Sequence, residues 1–389
     1  MDKDISPLVS AIALNAIFGN EPKFSHHLID ALGSAEALFN LSEAERLELF
    51  GPYRPRVAQI GPRALEAARN EFERLSARGV QFLSIFDGGY PEALRECPDA
   101  PLLLYVRSIT PAAELFAGRP AVAIVGTRDQ SLYGRECCQR IVHALAEAPA
   151  RPAVISGLAL GVDITAQATA LECGLPTVGV SPVGIEDVYP RRHAAFVERM
   201  VSTPGCALVT DYPPGTAPVA FTFLRRNRII AGLAGATVLI ESRLKGGGMI
   251  TARMAAGYGR DVFAVPGRID DLRSQGCNLL LQEQVAAPVA SPESLPARMG
   301  LGRRRRTRTA DLAAAVRDRF SPALPAGEVE QLVQIAGVIR AQRGICFDEL
   351  CRETALSYAF IARAAGLLEE EGFIGIDLLQ RCTINTKNA

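Results

Sequence analysis

The sequence lacks an excess of either charge. Its 42 basic and 42 acidic residues cancel in a chain of 389, which argues against bulk adhesion to nucleic acid and confines anion binding to local patches. It also lacks a membrane-spanning run. The apolar stretch Ile229 to Ile240 is 12 residues long and holds three Gly or Thr, too short to cross a bilayer. Met1-Asp-Lys-Asp4 is not the basic start that leads into a signal peptide's apolar h-region, so no signal peptide is read and the expected location is the cytoplasm. The nine cysteines show no C-x-x-C spacing, and Cys137 and Cys138 are adjacent. That pattern suits reduced core thiols, neither disulfides nor zinc ligands. The 4 histidines are scattered, and the neighbours His26 and His27 cannot easily chelate together, so no metal is expected. No G-x-x-x-x-G-K-[ST] cradle occurs, and Gly157-xxx-Gly161 departs from G-x-G-x-x-G. NTP hydrolysis and hydride transfer thus lack their usual phosphate loops. No Ser/His/Asp or Cys/His set stands out, and neither a catalytic residue nor a cofactor is expected.

What is present reads as several domains, two or three by length. Residues 1–78 are helical in pattern, with Ile12, Leu14, Ile17 and Phe18 at helical spacing, Ser25 placed to cap the next segment, and Leu65 to Leu75 amphipathic. This is expected to be a small SAM-like accessory domain. Residues 79–290 alternate apolar runs with helix-compatible segments. The runs are Val80–Phe86, Leu102–Val106, Ala121–Gly126, Pro152–Gly157, Thr177–Ser181, Ala207–Thr210, Ala236–Ile240 and Asp261–Gly267. Buried strands alternating with helices imply an α/β fold, a doubly wound, mostly parallel Rossmann-like sheet. Residues 291–325 read as a Pro/Arg-rich linker carrying Arg303-Arg-Arg-Arg306 and Arg308, a run that is usually solvated. Residues 326–389 read as a winged helix: three helices, the third capped by Ser357, then two wing strands. With six Arg/Lys against nine Asp/Glu there, a protein contact or packing role is favoured over duplex reading.

In such a sheet a ligand sits outside the carboxyl ends of the strands. Those ends carry Gly126-Thr-Arg128, Ser156 to Gly161, Pro182 to Gly184, Asp211 to Gly215, Lys245-Gly-Gly-Gly248 and Pro266-Gly-Arg268. Residues 221–270 hold eight Arg/Lys against three Asp/Glu, a local basic excess within a neutral chain. At its start stands Phe223-Leu-Arg-Arg-Asn-Arg228, directly before the apolar Ile229-Ile-Ala231. Two readings stand on these residues alone. One is a basic first turn on a buried helix with solvated arginines. The other is a nucleic-acid grip, with cations for phosphate and a ring for an unpaired base. A nucleotide-cleaving enzyme of the phosphoribohydrolase kind needs a carboxylate near the glycine loop. Met249 to Ala256 carries none. Asp163 and Glu241 are the carboxylates best placed near the mouth, and Asp163 reads as a helix cap.

Several stretches together resemble the DNA-processing protein A (DprA, or Smf) family. They are Ala123-Ile-Val-Gly-Thr-Arg128 with Tyr133-Gly134, Ile155 to Asp163, Val188-Tyr-Pro190, Phe223 to Leu233, Gly248-Met-Ile-Thr-Ala252, Gly259 to Gly267 and Gln275-Gly-Cys-Asn278. The resemblance covers about residues 80–290. It implies a non-catalytic, dimerising protein that binds single-stranded DNA and helps load the RecA recombinase onto incoming strands during natural transformation. Carried over, Arg128, Ser156 and Gly157 would hold backbone phosphate, Phe223 a base, and Arg226, Asn227 and Arg228 the strand. Lys245 joins them from its place on the glycine rim, whereas Arg225 is left to solvent. Two positions depart from the family: Gln167 stands where a histidine is usual, and Gly246-Gly-Gly248 where Ser-Gly-Ser is usual.

Overall fold

The computed structural model describes residues 6–50, 57–302, 312–342, 344–377 and 380–384. The arginine run at 303–308 lies outside them. The chain forms two compact units, residues 1–303 and 304–389. Among the described residues, no helix is long and apolar enough to cross a membrane.

The first unit is built on a nine-stranded sheet in the order β1-β2-β6-β5-β4-β3-β7-β8-β9. The strands are β1 Gln81–Ser84, β2 Leu103–Arg107, β3 Ala121–Val125, β4 Ala153–Ser156, β5 Thr177–Val180, β6 Ala207–Thr210, β7 Ala236–Leu239, β8 Asp261–Ala264 and β9 Ala287–Pro288. From β6 across to β9 neighbours pair in parallel, while β2 is antiparallel to both β1 and β6. The pleat sends alternate side chains to opposite faces. Ala123 and Val125 pack with Ile229, Ile230 and Met249 on one face, and Val122 and Ile124 pack with Ile141, Leu145 and Val162 on the other. Both faces are covered, so the strands read as apolar runs. This is the doubly wound, mostly parallel, Rossmann-like architecture that the sequence implies. The chain steps outward from β3 to β6 and then returns to lay β7 on the other side of β3. The order therefore reverses between β3 and β7, which opens a crevice at their carboxyl ends.

The N-terminal helices share a core with this sheet. Ile12, Leu14 and Phe18 of the Pro7–Phe18 helix pack in one cluster with Leu103, Tyr105 and Leu208. Ser25 does not cap a helix. It lies inside the Pro22–Leu32 helix, which starts at its proline, and its hydroxyl donates to the Phe18 and Glu21 carbonyls, both at 3.2 Å. Proline at the first helical position loses no hydrogen bond and presets φ, so it outcompetes the serine.

A buried ionic knot ties the same helices to the Ala220–Leu233 helix. Asp211, directly after β6, is 2% exposed. Its Oδ2 accepts from Arg228 and lies 3.2 Å from Arg225. Arg228 also donates to the Asp99 carbonyl. Arg225 is not left to solvent. Its side chain is 9% exposed, donates to Asn20 Oδ1 at 2.6 Å and to the Gly19 carbonyl, and covers the Tyr212 ring. Asn15 Nδ2 donates to the Asp211 carbonyl at 3.0 Å. The helix start thus meets the Gly19-Asn20 turn, a long-range contact invisible to local pattern.

The second unit has helices Leu312–Phe320, Ala326–Ala341, Phe347–Thr354 and Tyr358–Glu370, with antiparallel strands β10 Ile345–Cys346, β11 Ile374–Ile376 and β12 Arg381–Ile384 in the order β10-β12-β11. Ser357 accepts from the Phe360 amide as an N-cap. Arg363 donates to Glu328 at 3.0 Å and covers the Phe360 ring. Parts of 291–325, read as linker, are helical at Leu295–Arg298 and Leu312–Phe320. Leu312, Val316 and Phe320 recur every four residues and are buried, a period masked in the sequence by the adjacent arginines.

Removing the Asp211 carboxylate leaves Arg228 and Arg225 buried without their counter-charge. Asp211→Ala should cost about 3–5 kcal/mol, read as a lower urea midpoint. An unchanged midpoint would show that the knot does not hold this helix.

Candidate nucleic-acid interface

The crevice between β3 and β7 is a cavity of about 360 Å³. Gly126 to Arg128 after β3 form one wall, and Arg243 and Lys245 to Gly248 after β7 form the facing one. Phe223, Arg226 and Asn227 come from the Ala220–Leu233 helix, and Asp163 from the first turn of the Val162–Glu172 helix. The Gly247–Gly257 helix begins at this wall, and no side chain caps it. The Met249 N–H closes onto the Gly246 carbonyl at 3.1 Å, which leaves the Gly247 and Gly248 N–H groups as donors at the positive end of a helix dipole. A Cβ on Gly248 would stand 3.1 Å from Gly126 Cα and 2.8 Å from Leu239 Cδ1, so the two walls meet backbone to backbone.

Helical spacing sorts the Phe223 to Arg228 stretch. Residues three and four apart share a face, so Phe223, Arg226 and Asn227 turn to the cavity while Arg225 and Arg228 turn to Asp211. Phe223 is half-buried. The Arg128 guanidinium lies 5.2 Å from its ring centroid, and Tyr189 meets it edgewise at 5.2 Å and 71°. Asn227 Nδ2 lies 3.5 Å from the Gly247 carbonyl. Lys245 and Arg128 are exposed.

Arg226 is 3% exposed and donates to the Val180 carbonyl at 2.7 Å. Burial pushes its guanidinium down to about 10, still charged at neutral pH, and Asp163 opposes the shift. The Asp163 carboxyl is in turn pushed up by burial and held back by Arg226 and by the Ala159 and Gly157 amides. Its Oδ2 accepts from Gly157 N at 3.1 Å. Asp163 is thus not the N-cap of its own helix, a position Gly161 holds. It fastens the preceding loop instead, through the Gly157 amide. Glycine is required at 157 by this packing, since a Cβ would stand 1.8 Å from Arg226 Nη1.

Of the residues singled out in the sequence, Arg128, Phe223, Arg226, Asn227 and Lys245 line one cavity. Ser156, Gly157 and Arg228 are not among its lining. Ser156 is fully buried and donates to the Ile124 carbonyl at 2.6 Å. The Gly157 amide is held by Asp163, and Arg228 by Asp99 and Asp211. Gln167 accepts from the Leu158 amide at 3.1 Å. It supports a turn in which Leu158 takes φ 58°, a conformation costly for a leucine. Glu241 stands beside the mouth, its carbonyl accepting from the Thr127 amide at 2.8 Å, but its buried carboxylate is turned to Ser131, from which it accepts. Sequence reasoning missed Arg243 and Tyr189. Arg243 also borders an adjoining cleft of about 380 Å³ with Arg268 and Arg273. Its place two residues before Lys245 was a usable signal, whereas nothing local links Tyr189 to Phe223.

Comparison with known proteins converges. The family model of the DNA recombination-mediator protein A matches residues 81–300. DNA processing protein DprA of Streptococcus pneumoniae is 36% identical over 200 residues, 51% of this chain and 68% of that protein. Protein Smf of Escherichia coli is 35% identical over 206 residues, 53% of each chain. Among solved structures, DprA from S. pneumoniae aligns with a TM-score of 0.53 at 31% identity, covering 67% of this chain and 92% of that one. A structure described as showing the single-stranded DNA binding mode of DNA processing protein A from Helicobacter pylori aligns with a TM-score of 0.50 at 27% identity, covering 56% and 95%.

Because the Gly157 contact leaves no room for a methyl group, Gly157→Ala should destabilise the fold by roughly 1–3 kcal/mol. In an Arg226→Ala background the same change should cost less, a coupling that a double-mutant cycle in urea reads directly. Strict additivity would refute the contact.

Proposed function

The chain belongs to the DNA recombination-mediator protein A family, and from that premise and the crevice geometry we propose that it binds single-stranded DNA across the β3–β7 mouth. The carrying observation is the convergence of Phe223, Arg128, Lys245 and an uncapped helix start on one cavity. Cations and helix N–H groups hold phosphate whatever the sequence, and an aromatic face holds an unpaired base. Arg128 and Lys245 take phosphate, Phe223 takes a base, and Asn227 and Arg226 border the strand. Ser156, Gly157 and Arg228 serve beneath the rim, where their donors set the positions of the residues above. The relative from H. pylori described as binding single-stranded DNA supports this reading.

In this reading the protein works in the cytoplasm as a homodimer and delivers strands to the RecA recombinase during DNA uptake. Its second unit, read as a winged helix, serves protein contact, in keeping with the engagement of Arg363 by Glu328. The protein binds rather than cleaves. The Asp163 carboxylate, the one that lines the cavity, is committed to the Gly157 loop and to Arg226, which argues against a free general base.

Single strands should bind more tightly than duplex, with affinity falling steeply as salt rises. By fluorescence anisotropy Phe223→Ala should lose roughly 1–3 kcal/mol of strand binding. Lys245→Ala should lower the salt slope by about 0.7, one phosphate contact on a single strand. Equal affinity for duplex would sink the preference. A chain lacking residues 304–389 should keep nearly all of its strand affinity, and a large loss would make the second unit a DNA reader. Base release from nucleoside monophosphates that disappears in Asp163→Asn would overturn the non-catalytic reading.

A further inference from the structure

Phosphate and base are assigned to two side chains that, in the free protein, are occupied with each other. The Arg128 guanidinium lies 5.2 Å from the Phe223 ring centroid, within cation–π range. Phe223 is half-buried, and Tyr189 meets the same ring at 5.2 Å and 71°. Much of the ring's surroundings is thus already taken. Arg128 also feels the Asp163 charge across the cavity. It is exposed, on the loop between β3 and the Leu132–Ala146 helix. The ring is far better anchored. It rides on a helix fixed by Arg226 in the sheet end and by Arg225 and Arg228 at Asp211, and Tyr189 braces its edge.

We infer that Arg128 and Phe223 form a latch that makes the site selective for ligands offering a phosphate and an unpaired base together. This rests on the proposed strand-binding role. A strand draws Arg128 onto phosphate and lays a base on the vacated ring, so both contacts replace the one that is lost. A backbone without bases draws Arg128 away but leaves the ring bare, and duplex does the same because its bases are stacked inside. Such ligands gain the Arg128–phosphate contact only at the loss of the cation–π contact, with no base on the ring to make it good. The latch thus sets discrimination between polyanions, which charge alone does not supply.

The test compares two oligodeoxynucleotides of equal length at one salt concentration, one ordinary and one abasic throughout. With the full chain, Phe223→Ala should weaken binding of the ordinary strand about fivefold or more. The same variant should tighten binding of the abasic strand about two- to fivefold, the weight of an exposed cation–π contact. Opposite signs are the signature. Phe223→Leu keeps apolar volume without the π face and should behave alike if Phe223→Ala melts early. Unchanged or weaker abasic binding in both variants would overturn the latch while leaving base stacking intact. An ordinary strand that tightens as the abasic one does would refute the stacking role and, with it, the selectivity assigned to the latch.

Discussion

A guanidinium buried at the end of a parallel sheet has to find acceptors there or give up its charge, and the first unit is arranged around meeting that demand for Arg226. The Val180 carbonyl takes one N–H, Asp163 supplies the counter-charge, and residue 157 lacks a side chain so that the cation fits. Asp163 and Gly157 come from the stretch after β4 and Val180 from the end of β5, so two segments of the sheet's carboxyl edge converge on Arg226. Once Arg226 is seated, the rotation of the Ala220–Leu233 helix is set. Helical geometry then sends Phe223 and Asn227 to the crevice and Arg225 and Arg228 to Asp211. The recognition surface is a consequence of how the buried Arg226 guanidinium is seated on the same helix.

That division changes what the local basic excess means. Of the eight basic residues between 221 and 270, Arg225, Arg226 and Arg228 are spent inside the fold against carboxylates and carbonyls. The field at the mouth comes instead from Arg128, Lys245 and Arg243 with the open N–H groups of the Gly247–Gly257 helix. Arg243 lies 4.0 Å from Asp129 and Arg268 pairs with Asp270. Both pairs are exposed, worth little in water, and easily exchanged for a phosphate. A neutral protein can therefore present a cationic groove whose charges are mostly available.

The sheet was legible because its strands are short apolar runs between turn residues, a local signal, and a ligand site at the carboxyl ends followed from the general placement of ligands in such sheets, whereas the reversal between β3 and β7 depends on strand order, which no local pattern encodes. Five of the eight site residues reach the cavity: Arg128 and Lys245 on the loops that follow β3 and β7, and Phe223, Arg226 and Asn227 on one helix face, three and four residues apart. Ser156, Gly157 and Arg228 share the motif but not the face, and motif resemblance alone has no means of telling a residue that touches a ligand from one that seats its neighbour. The Arg225 contact with Asn20 spans 205 residues, and Tyr189 reaches Phe223 from another loop. Pairings of that kind depend on tertiary packing, which no local period encodes. The Leu312–Phe320 helix was hidden for a different reason, its apolar period lying directly after a run of arginines that reads as linker.

The glycines at 246–248 sharpen how such a mouth would read a strand. Hydroxyls that could pick out particular ligand atoms are few at this wall, and those present are turned to the backbone: Ser242 donates to the Arg243 carbonyl at 3.0 Å and Thr251 to the Gly247 carbonyl at 3.4 Å. What remains for an anion is backbone N–H, an ammonium and a guanidinium, all indifferent to which base a phosphate carries. Any preference for unpaired over paired strands must then come from the one group that needs a base face, the Phe223 ring. Since that ring rides on the helix whose rotation Arg226 sets, preference for single strands rests on a residue that is itself almost wholly buried.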